Sequence, residues 1–163
     1  MEKNKEEKTN VMRVLEQKKI AYTAHTYPHE EGVAVDGVTV AQSMGFDPAI
    51  VFKTLVARGA SKQYYVFDVP VAENLDLKKA AKAVGEKSIE MLHQKELLPL
   101  TGYVHGGCSP VGMKKLFPTV IDASAENLET MIVSAGKIGY QVELSPRDLA
   151  SLVRASFADL VAE

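Results

Sequence analysis

Two β-rich runs, residues 52–57 and 64–69, stand on either side of a Gly59-Ala60-Ser61 turn. A link this short can join only antiparallel neighbours, because a parallel crossover needs a dozen residues or more. The chain is therefore expected to be organised around a hairpin. Further strands are predicted over residues 20–27, 102–105, 119–122, 130–134 and 140–144, the first of them stopped by Pro28. A short helix capped by Thr9 or Asn10 places Val11, Val14 and Leu15 on one side. Residues 28–37 read as a loop, and residues 39–44 as a helix ended by Gly45. Residues 74–84 are expected to form a helix with Leu77, Ala80, Ala81 and Val84 toward the core. Helices are also expected over residues 88–98, over 110–117 and from Pro146 onward. Strands cluster and helices intervene without a regular βαβ beat. The expected class is α+β, with a mixed, mostly antiparallel sheet.

The chain has 163 residues, 46% of them apolar and 25% charged, which fits one globular domain and excludes a disordered chain. No apolar stretch is long enough to span a bilayer. Residues 1–8 are charged and lack the apolar centre of an export signal, so they are expected to be a flexible lead-in to a domain over 9–163. Cys108 is the single cysteine, which rules out an internal disulfide framework and a multi-cysteine zinc site. These features point to a soluble cytosolic protein. The net charge of −2 gives no global attraction to nucleic acid, yet residues 53–62, residues 78–87 and the Lys114-Lys115 pair are locally basic. Such faces can hold a phosphate backbone, or can simply be solvated surface.

Three features carry candidate chemistry. Lys53 alternates onto the same strand face as Val51, Leu55 and Ala57, where a cation is costly unless it reaches water or an anion. It can grip phosphate or sugar oxygens, or it can snorkel from a strand end. Gly106-Gly107-Cys108-Ser109-Pro110-Val111-Gly112 lies between a predicted strand and a predicted helix. Ser109 and Pro110 suit a helix start, and the glycines allow close approach of a ligand to backbone N–H groups. The same pattern can be a capped turn with no ligand. Met113 stands where a phosphate-binding loop would have lysine. Ser134-Ala135-Gly136-Lys137-Ile138-Gly139 is a second glycine turn. Cys108 with His25 or His105 is a weak nucleophile arrangement, and Pro28 keeps His25 and His29 from sharing a helix face on a metal. No metal or cofactor is expected.

The ordered motifs resemble the YbaK/EbsC family, free-standing relatives of the editing domain inserted in bacterial prolyl-tRNA synthetases. The likeness rests on His25-Thr26-Tyr27, Phe52-Lys53-Thr54-Leu55, the run from Asn74 to Ala81, Thr101-Gly102-Tyr103 and both glycine turns. It implies a barrel-like sheet and release of a wrong amino acid, cysteine first of all, from tRNA(Pro). The family's cleft lysine falls on Lys53 and its Gly-Gly turn on Gly106 and Gly107, which makes these three the expected catalytic residues. Tyr27, Thr54, Ser109, Ser134 and Gly136 are the expected substrate-binding residues. Ile138 stands where relatives carry a basic residue. The resemblance also implies that the substrate's own thiol is the nucleophile, and it makes prolyl-tRNA synthetase a candidate partner. A non-catalytic tRNA- or synthetase-binding module and a Cys108-dependent hydrolase are the alternatives.

Overall fold

The computed structural model describes residues 8–163. The helices are α1 (Asn10–Gln17), α2 (Gly37–Met44), α3 (Leu77–Val84), α4 (Gln94–Thr101) and α5 (Pro146–Val153). The strands are β1 (Thr23–Thr26), β2 (Phe52–Gly59), β3 (Tyr64–Pro70), β4 (Ile89–Met91), β5 (Thr119–Asp122), β6 (Met131–Ser134), β7 (Tyr140–Leu144) and β8 (Ser156–Ala158). Short 3₁₀ turns cover Pro48–Ile50 and Ala123–Asn127. The expected lead-in lies outside the described residues except for Lys8, whose ammonium pairs with Glu16 at 3.0 Å. No helix among the described residues is long and apolar enough to cross a membrane.

The hairpin forms as its short turn requires. β2 and β3 pair antiparallel from Phe52–Pro70 to Arg58–Tyr64. They are the centre of a five-stranded sheet ordered β4-β2-β3-β5-β8, in which β3–β5 and β5–β8 are parallel. A second, antiparallel sheet has the order β1-β7-β6. One parallel bridge between Val51 and Ile132 joins them. The α+β class and the mixed, mostly antiparallel pairing are therefore as expected, with the strands divided between two sheets.

Local caps set the helices. The Thr9 hydroxyl accepts from the Met12 N–H, and Val11, Met12 and Leu15 of α1 are buried. The Asp36 carboxylate accepts from Thr39 N–H, so α2 begins at Gly37 rather than at Thr39. Asp76 takes the N–H groups of Lys78 and Lys79, which starts α3 three residues later than the apolar spacing suggested. Ala80 and Ala81 face the core, but Leu77 is 41% exposed.

Three predictions fail for tertiary reasons. The helix expected over residues 88–98 is divided. Residues 89–91 pair with Ala57–Gly59, satisfying the open edge of β2, and only then does α4 begin. The strand expected over 102–105 and the helix over 110–117 do not form. That segment is a series of turns, in which the buried Tyr103 hydroxyl donates to the Val111 carbonyl. Gly112 has φ +79° and a β-carbon there would lie 2.8 Å from that hydroxyl, so the backbone leaves the helical region to let Tyr103 in.

Candidate functional site

A cavity of about 300 Å³ opens beside the Val51–Ile132 bridge, where the two sheets meet. The first half of β2 gives it Lys53, Thr54 and Leu55, while β6 and β7 give it Ser134 and Gln141. Tyr27 follows β1 into the wall, and Asp36 and Gly37 close it at the start of α2. His105, Gly106 and Cys108 enter from the turn segment. Tyr27, Lys53, Thr54, Gly106 and Ser134, all expected from the sequence, thus converge on one space.

Gly107, Ser109 and Gly136 do not line it. The Gly107 N–H already donates to the Val104 carbonyl at 2.9 Å, and a β-carbon there would lie 3.1 Å from the Ile138 nitrogen. Gly107 therefore lets the two glycine turns pack on each other. Gly136 gives its N–H to the Ser134 hydroxyl oxygen at 3.1 Å. Ser109 is wholly buried and accepts from the Val111 N–H at 3.2 Å, so it closes a turn rather than starting the helix expected of it. Of the three expected glycines, only Gly106 combines a place in the cavity wall with an N–H that no described residue accepts. Ile138 is 6% exposed and packs beside Gly106, where it fills space.

The electrostatics are uneven. Lys53 is half-buried, and its ammonium forms no hydrogen bond or ion pair with a described residue. Burial pushes its ammonium below the usual lysine range, and the charge of Glu73 offsets part of this. Burial raises the Tyr27 phenol, against a smaller opposing effect of the Gly139 backbone. Behind the wall stands Asp68, 0% exposed, its carboxyl pushed up to about 7 by burial despite a hydrogen bond from Thr54. Asp68, Asp36 and Gln141 belong to no motif in the sequence, and the fold alone brings them to the cavity or its backing. The available signal was an aspartate inside the apolar run Tyr65-Val66-Phe67-Asp68-Val69.

Cys108 touches the cavity but is poorly suited to nucleophilic attack. It is 8% exposed, and burial together with the Asp68 charge pushes its thiol up to about 12. His25 is committed elsewhere, with Nε2 2.8 Å from Glu143 Oε1. Cys108→Ala is accordingly expected to keep single-turnover cleavage within about threefold while costing on the order of 1 kcal/mol of stability through lost packing. Chemical denaturation and rapid-quench assays check both halves. Among the described residues, no group of three or more His, Cys, Asp or Glu could hold a metal ion.

The profile of the aminoacyl-tRNA editing domain matches residues 32–152. The chain belongs to the aminoacyl-tRNA editing domain family. The match encloses Lys53, Thr54, Gly106 and Ser134, with Tyr27 just before it. Among relatives, the chain is 44% identical over 158 residues to EbsC of Enterococcus faecalis, described as a candidate Cys-tRNA(Pro)/Cys-tRNA(Cys) deacylase. That alignment covers 97% of this chain and 96% of EbsC. The fold is similar to a crystal structure of a candidate trans-editing enzyme for prolyl-tRNA synthetase, with TM-score 0.79 and 26% identity. That likeness covers 94% of this chain and 95% of the other. A hypothetical protein at 20% identity shares the same fold, with TM-score 0.82 over 93% of this chain and 99% of its own. All the residues named in the cavity wall except Tyr27 thus lie within the matched editing domain.

Proposed function

We propose that this protein is a trans-editing deacylase that releases cysteine from Cys-tRNA(Pro). The observation that carries the reading is a half-buried Lys53, its ammonium without a hydrogen bond or ion pair among the described residues, in a cavity of about 300 Å³ within an aminoacyl-tRNA editing domain. The space suits one small amino acid, and the cation suits the oxygen-rich end of tRNA. The E. faecalis relative, with its name as a Cys-tRNA deacylase, supports the choice of amino acid.

The aminoacyl ester is already activated, so a modest site suffices. Lys53 holds phosphate or ribose oxygens of the terminal adenosine. The Gly106 N–H donates to the carbonyl oxygen as it gains charge. The substrate thiol attacks its own ester carbonyl, forming a carbon–sulfur bond. The bond from that carbon to the ribose oxygen breaks, and the ribose oxygen takes up the proton lost by the thiol. The cyclic thioester released is then opened by water to free cysteine. An intramolecular thiol has an effective concentration that bulk water lacks, and serine's hydroxyl is a far weaker nucleophile. Selection by chemistry supplies what size alone cannot, since a methylene is worth only about 1–3 kcal/mol. Prolyl-tRNA synthetase, as the source of the mischarged tRNA, is the proposed partner.

A panel of mischarged tRNAs with chelator present tests the reading. Cys-tRNA(Pro) is expected to be cleaved, Ser-tRNA to survive, and S-methylcysteinyl-tRNA(Pro) to bind yet resist. If micromolar protein leaves the whole panel intact, the enzyme reading is wrong. Rapid release from the S-methylated ester would leave a deacylase but remove the substrate-thiol mechanism.

A further inference from the structure

Thr54 and Lys53 are consecutive on β2, so they leave the strand on opposite faces, yet both reach the cavity. Thr54 is directly opposite Asp68 of β3. Its hydroxyl donates to Asp68 Oδ1 at 2.6 Å, a short bond. The other carboxyl oxygen, Oδ2, is buried and has no hydrogen-bond partner among the described residues. A fully buried carboxyl with an orphaned oxygen is costly, and an apolar residue would fill that strand position at less cost.

A hydroxyl has one proton and two lone pairs. Thr54 spends its proton on Asp68, so only lone pairs remain for the cavity. Ser134 is wired the opposite way. Its oxygen accepts from the Gly136 N–H, which leaves its own proton free to be donated. Gln141, opposite Ser134 on β7, also lines the cavity, but its Oε1 is buried away from it, with no partner among the described residues. At Thr54 the wall thus offers an acceptor, and at Ser134 a donor. A hydroxyl whose proton is held by a carboxyl oxygen is also more electron-rich, which suits a cation. An aminoacyl ester carries one group that is cationic and can only donate, its α-ammonium.

Resting on the deacylase reading, we propose that Asp68 is a positioning residue. It fixes the Thr54 hydroxyl as an acceptor, and Thr54 receives a hydrogen bond from the α-ammonium of the bound aminoacyl group. Asp68 itself never touches the substrate.

The test combines four variants with two esters, Cys-tRNA(Pro) and its deaminated counterpart β-mercaptopropionyl-tRNA(Pro). Asp68→Val should lower kcat/KM on Cys-tRNA(Pro) about 10-fold, with a thermal midpoint no lower than that of the wild type. Asp68→Asn keeps an acceptor for Thr54 and should stay within about threefold. Thr54→Val should match Asp68→Val, and the double variant should be no worse than either, because one residue acts only through the other. On the deaminated ester Asp68→Val should have no effect. Additive losses, equal losses on both esters, or an Asp68→Asn as impaired as Asp68→Val would overturn the proposal. A wild type inert toward Cys-tRNA(Pro) would sink the deacylase reading, and this inference with it. A wild type that is active but shows additive variants would sink the inference alone.

Discussion

Lys53→Ala is expected to lower kcat/KM for Cys-tRNA(Pro) by about 10²–10³-fold, the range typical for removing one preorganised electrostatic contact. The protein should stay as stable as before. Lys53 has no ion pair or hydrogen bond to lose among the described residues, and burial already disfavours its charge. Removing it relieves desolvation and forfeits the packing of the aliphatic stem and the weaker attraction of Glu73. Loss of function without loss of stability marks a residue kept for a ligand. Single-turnover kinetics and thermal denaturation on the same sample measure the two. Near-normal turnover, or a midpoint that collapses, would show that Lys53 serves the fold.

Gly106→Val should be nearly as damaging to catalysis, about 10²-fold or more, while tRNA binding changes only a few-fold. Gly106 has φ +89°, a conformation that costs a β-branched residue on the order of 1–3 kcal/mol. A β-carbon there would also lie 2.7 Å from the Ala34 β-carbon. Relief requires movement of the segment before α2, which carries Val35 and Asp36 into the cavity wall. Both the donor N–H and the opposite wall would therefore shift. Filter binding and single-turnover rates separate the effects, and a parallel fall in both would point to misfolding. Gly107→Val is a poorer probe, since its side chain would strike the Lys137–Ile138 backbone instead of the cavity.

Much of the fold was legible because it is local. The β2–β3 hairpin follows from a short turn between two alternating runs, and the Thr9, Gly45 and Gly85 boundaries are cap chemistry. Ile89-Glu90-Met91 misled because nothing in its own residues says that β2 has an edge to complete. The turns after Gly102 misled for the same reason, as the Tyr103–Val111 contact is set by packing. At the site, the glycine turns could be seen, but not which N–H groups they consume internally. Gly107 and Gly136 have committed theirs, and Gly106 has not. Asp68 looked like one more scattered acid until β2 placed Thr54 across from it.

The single bridge at the seam has a temporal consequence. Lys53 and Thr54 stand in the first half of the sequence, Gly106 well beyond it, and Ser134 and Gln141 close to the end. During synthesis the hairpin can form early, but the opposite wall does not exist until β6 and β7 have left the ribosome. The nascent chain therefore has no complete pocket before β6 and β7 have emerged.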